Sequence, residues 1–190
     1  MTGKPASRPL GPSHTTSGQF SEIMQWAALA ALLEPGGTVW VQAPVLENAP
    51  MLDNSTGTFD ALEPGWGRRA VRLLDFVLRL AGIGQDVFLA TRVDAKTPFL
   101  DELHMSVTDH GVGRFVHVQR RDWLSTPGIL TRHVWLRGSF ELRTEGILPM
   151  DDLASLEIAP ESLFAAGEAQ ERDWEEWSRR ELETRGRDGF

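Results

Sequence analysis

The stretch from Asp86 to Arg143 reads as a run of antiparallel strands, and that constrains the fold more than anything else in the chain. Val87 to Val93 is short, apolar and rich in β-branched residues, bounded by Gly84 and Pro98, as a strand buried on most of both faces would be. Leu103, Met105 and Val107 alternate with His104, Ser106 and Thr108; after a turn at Asp109–Gly113, Val116 and Val118 alternate with Phe115, His117 and Gln119. The spacing predicts a hairpin. Arg132 to Arg143 carries the cleanest alternation, with Val134, Leu136, Phe140 and Leu142 on one side and His133, Trp135, Arg137, Glu141 and Arg143 on the other. Period two over this length predicts one face on a core and one toward water or a partner.

Helical spacing appears elsewhere. Phe20 to Leu32 repeats apolar residues every three to four positions before Glu34-Pro35-Gly36-Gly37 stops it, and Thr38 to Ala43 reads as a strand. Trp66 to Ala81 is apolar around most of its circumference, with a polar stripe of Arg68, Arg72, Asp75 and Arg79 in which Asp75 would pair with Arg72 and Arg79. Between them, Pro44 to Gly65 reads as a long loop and, by length alone, as a place for a binding surface. Pro160 to Arg185 is a further helix with Pro in its first turn.

The expected fold is therefore α+β: two N-terminal helices on a largely antiparallel five-stranded sheet, a meander, followed by an acidic C-terminal helix. Residues 1–17, rich in Pro, Gly, Ser and Thr, read as a disordered arm; 18–150 form the α+β domain, and 151–190 an acidic linker and helical arm.

Charge separates the last part from the rest. Residues 1–144 hold 14 basic and 14 acidic side chains, whereas 145–190 hold 5 and 13, so the whole net charge of −8 lies in the last quarter. Binding of nucleic acid by the general surface is thereby disfavoured. The chain has no cysteine, which removes disulfides, thiolate nucleophiles and cysteine zinc sites. No apolar run approaches the ~20 residues of a membrane span, and the first residues lack a charged-then-apolar leader, so a cytoplasmic location is expected.

Two patterns point to chemistry. Val93-Asp94-Ala95-Lys96 ends an apolar strand with an acidic-x-Lys triplet and resembles the second half of the PD-(D/E)xK nuclease motif. The resemblance implies Asp94 on Mg²⁺, Lys96 orienting the attacking water and Glu22 as a helical carboxylate. The sequence departs from the motif in its first half: Asp86 shares the strand, and Asp53 and Asp60 lie beyond an intervening helix. A strand-end salt bridge accounts for the same triplet. His104, His117 and His133 would converge if their strands were neighbours, although a solvated polar face explains them without a metal.

The second pattern is Trp174 and Trp177, three apart on a helix otherwise full of Glu and Arg. Such indole stripes anchor helices in grooves, and the Trp135 face of the last strand is the expected receptor, in the same chain or another. The reading that follows is a non-catalytic cytoplasmic interaction module, of inhibitor, immunity or assembly type. It would bind a protein partner or itself through Trp135, Trp174 and Trp177, with no cofactor. The alternative is the Mg²⁺-dependent nuclease acting on nucleic acid.

Overall fold

A computed structural model describes residues 8–9, 17–33, 36–95, 97–124, 128–138, 140–149, 155–157 and 160–187. In chain order the elements are β1 (Arg8–Pro9), α1 (Ser17–Leu32), β2 (Thr38–Gln42), β3 (Pro50–Asp53), β4 (Ala70–Arg72), α2 (Leu73–Gly82), β5 (Asp86–Arg92) and α3 (Phe99–Asp109). They continue with β6 (Val116–Arg121), β7 (Gly128–Leu130), β8 (Trp135–Arg137), β9 (Phe140–Arg143), β10 (Gly146–Pro149), β11 (Ser155–Glu157) and α4 (Pro160–Arg187). Mixed α and β structure is as expected. The antiparallel meander is not.

Seven strands form one mixed sheet in the order β1-β11-β8-β7-β2-β5-β6. Its centre is parallel, β2 to β5 and β5 to β6, because helices α2 and α3 intervene and return the chain in the same direction. The flank from β7 to β1 is antiparallel. Two small pairs, β3–β4 and β9–β10, stand apart.

The predicted hairpin fails at its first arm, which is α3. Phe99, Leu100, Leu103 and Val107 are buried there while Met105 is exposed. Leu103 and Val107 satisfy both periods, since positions i and i+4 share a face in a strand and in a helix. Phe99 and Leu100 settle it for the helix, and Asp101 and Glu102 favour its N-terminus. The second arm, β6, exists but pairs parallel with β5.

The long strand expected over 132–143 divides at Gly138, with β8 in the main sheet and β9 in the hairpin with β10. Its inward side chains survive the division: Leu136, Phe140 and Leu142 are fully buried. Likewise the helix expected from Trp66 starts only at Leu73, because Gly67 takes φ 62° and cannot continue a right-handed helix. The chain before it closes β4 onto β3. The 44–65 segment is not a loose loop: Leu46, Met51 and Leu52 are in the core, and buried Asn54 donates to Asp60 Oδ1 (2.8 Å) and Gly67 O (2.7 Å) and accepts from Phe59 N–H (2.7 Å).

Strand alternation divides the core in two. Val39, Val41, Val87 and Leu89 face the helices α1, α2 and α3 and form the large cluster with Met24, Phe76 and Leu103. Trp40 and Leu130 face the other way, against Leu163 and Ala166 of α4, with Phe88, Trp135 and Trp174 packed around them. The sheet thus separates three helices from one. Arg8 and Pro9 belong to the sheet rather than to an arm; the remainder of that expected arm, 1–7 and 10–16, and most of the 151–159 linker lie outside the described residues.

Candidate functional site

The face under α4 is assembled by register. Partner positions place Trp135, Leu130, Trp40, Phe88 and His117 in one row across five strands. The rings of Trp40 and Phe88 stack at 4.1 Å and 16°, and those of Phe88 and His117 at 4.4 Å and 18°. His117 Nε2 lies 3.2 Å from Asp86 Oδ1. The adjoining row of the same face is polar, with Gln42 on β2 and Gln119 on β6, followed on β6 by Arg121. Gly128 of β7 sits between Gln42 and Arg137 in this row, and a Cβ there would meet the Leu136 carbonyl oxygen at 2.4 Å.

Helix α4 meets this face with one stripe. Leu163 and Ala166 are buried and Phe164 is 70% exposed, so the helix meets the sheet along one side. Further along, Gln42 Nε2 donates to Gln170 Oε1, and Gln119 Nε2 donates to Ser178 Oγ at 2.7 Å and to the Trp174 carbonyl at 3.3 Å. The Trp174 indole lies edge-on to the stacked rings, 5.7 Å from Trp40 at 67° and 4.9 Å from Phe88 at 78°.

Arg121 is the centre of the seam. It is 2% exposed, the largest fully buried side chain among the described residues. Its Nε and Nη2 donate to Gln119 Oε1 at 2.9 and 2.6 Å, and its Nη1 donates to Asp173 Oδ2 of α4. The guanidinium carbon is 5.3 Å from the Trp174 ring and 5.9 Å from that of Trp177, within cation–π reach. Burial pushes the Arg121 guanidinium below its ordinary range, and the Asp173 carboxylate acts in the opposite sense. A charge buried as Arg121 is requires a partner. The arrangement holds one carboxylate on the guanidinium beside two indoles. Among the described residues Gln42 Oε1, Trp135 Nε1 and Trp177 Nε1 are buried without a hydrogen-bond partner, and all three belong to this seam.

The expected nuclease residues that the structure describes have other partners or are exposed. Asp94 is bound by Arg92 at 2.9 and 2.7 Å in the exposed turn after β5. Glu22 is exposed on α1, and Lys96 lies outside the described residues. Asp53 accepts from Ser55 N–H at 3.0 Å, which holds its carboxyl below the ordinary value, and Asp60 accepts from Asn54. Among the described residues no group of three His, Asp or Glu is placed to hold a metal ion. His104 is exposed on α3, beyond the opposite face of the sheet from His117, and His133 is in the β7–β8 turn.

The Arg stripe is also rearranged. Asp75 pairs with Arg69 in two bonds of 2.6 and 2.8 Å and accepts the Arg72 N–H at 3.1 Å; Arg79 pairs with Glu63 at 3.2 Å. Trp135, Trp174 and Trp177 are half-buried, and α4 rests on the sheet of its own chain. Sequence reasoning missed Trp40, Gln42, Phe88, Gln119, Arg121 and Asp173. Alternation placed His117 with Gln119, but only the parallel register reveals what lies beside them.

No family model matches the chain, and no curated protein does. Among solved structures it is similar to the archaeal chromatin protein TrmBL2, whose structure shows a novel mode of DNA binding. The two share 8% identity at a TM-score of 0.47, with 91% of this chain and 53% of that one covered. The chain therefore spans about half the length of that neighbour, and nothing about function is taken from the likeness.

Proposed function

We propose that this chain is a non-catalytic cytoplasmic protein-interaction module, of inhibitor, immunity or assembly type, whose recognition surface is the sheet face containing Trp135 together with the Trp174–Trp177 stripe. One observation supports this above others: a buried guanidinium on the sheet, Arg121, takes its countercharge from Asp173 of a separate acidic helix. Carboxylate, indole and amide groups meeting across two elements are the means of helix recognition. The test is size-exclusion chromatography with light scattering on the full chain and on a chain ending at Met150, each also used to retain partners from extract. The reading expects different oligomeric states or different retained partners. Identical monomers that retain nothing overturn it.

A further inference from the structure

We infer that α4 is a replaceable occupant of its sheet face, and that the face receives an acidic amphipathic helix from a partner protein; this rests on the interaction reading above and names the partner's chemistry. The cis contact uses one side of the helix, with Phe164, Glu168, Glu171, Glu175 and Glu176 all exposed on the other. What the face demands is defined by what fills it: a carboxylate on Arg121, an aromatic side chain edge-on to Trp40 and Phe88, and an amide or hydroxyl at Gln42 and Gln119. The charge this face presents to α4 is the buried Arg121 guanidinium, paired with Asp173, so an incoming helix is selected by the carboxylate it places there.

The cis helix is an imperfect fit. With α4 in place, Gln42 is 1% exposed, and among the described residues its Oε1 has no donor and buried Trp135 Nε1 no acceptor. A partner helix offering a donor to the first and an acceptor to the second gains what α4 forgoes, about tenfold in affinity for each group. That advantage is needed, because a tethered helix competes at an effective concentration in the ~mM range.

The absence of cysteine makes a direct test available. A fluorescein-labelled peptide with the sequence of residues 160–187 is titrated against three full-length chains: unaltered; Trp174→Ala with Trp177→Ala, which loosens the cis helix; and Gln119→Cys with Ser178→Cys closed by a short bismaleimide, which locks it. Should the first variant fold poorly by circular dichroism, Gln170→Ala with Ser178→Ala loosens the helix more mildly. The expected result is binding at least tenfold tighter to the loosened chain than to the unaltered one, no binding to the locked chain, and at least tenfold loss with an Asp173→Ala peptide. A folded, loosened chain that ignores the peptide, or a locked chain that binds it equally, overturns the inference. Failure of the two cysteines to link at all would remove α4 from the face and take the interaction reading with it.

Discussion

At the level of single residues, Arg121 shows why a buried charge is more costly to strand than to replace. Removing one member of a buried pair leaves the other desolvated and uncompensated, at about 3–5 kcal/mol, whereas an apolar substitute of similar volume for both is often neutral. Asp173 keeps a quarter of its side-chain surface, so Asp173→Ala is expected at the low end, about 3 kcal/mol. Adding Arg121→Met should recover part of that loss, and urea denaturation of the two single variants and the double one checks it. An additive double variant would mean that the pair does not hold the helix. Gly128 is sensitive for a different reason. With the Leu136 carbonyl 2.4 Å from any Cβ, Gly128→Ala must push β7 away from β8, and a cost of about 1–3 kcal/mol is expected in the same assay.

Among the elements, those legible from the sequence were the ones whose period admitted a single reading. The apolar run of β5, the stripe of α4 and the buried side of 132–143 are recoverable from spacing alone, because burial follows parity even where the strand breaks. Helix α3 was not, since its 103–107 window fits both periods and only Phe99 and Leu100 decide. Nor was the seam: Gln42, Gln119 and Arg121 become neighbours through a register set by two helical crossovers, and register is a tertiary property. The start of α2 depends on Gly67 and on Asp75, whose carboxylate takes the Arg72 N–H and the Arg69 guanidinium. Burial works to raise the Asp75 pKa, but these bonds outweigh it and the net direction is down. The stability so gained is present above the unfolded carboxylate value of about 3.9 and disappears as pH falls through the lower folded value. Asp75→Asn should therefore cost about 1 kcal/mol at pH 7, the half-exposed Arg69 contributing little. The difference from the unaltered chain should shrink in strong acid, as urea midpoints at the two pH values would show. A deficit unchanged by acid would assign the effect to packing.

For the molecule as a whole, the sheet divides a dry side from a mixed one. Three helices close the face of Val39, Val41, Val87 and Leu89 around the large apolar cluster, while a single helix closes the other with a strip of indole and amide groups and the Arg121–Asp173 pair. Polar seams of this kind resemble contacts between separable bodies more than the centre of a domain. Separate stability follows. Strand β5, hydrogen-bonded on both edges and buried among β2, β6 and the helices, should open only with the whole fold, whereas α4 should detach while the sheet persists. Hydrogen exchange in mild urea is expected to show α4 amides opening at lower free energy than those of β5. Asp173→Ala should speed exchange in α4 through this local opening, leaving the β5 amides slowed only by what the fold as a whole retains. Common exchange of α4 and β5 at one free energy in both proteins would make the helix an inseparable layer of the fold, because a cover that never lifts alone cannot give way to another helix.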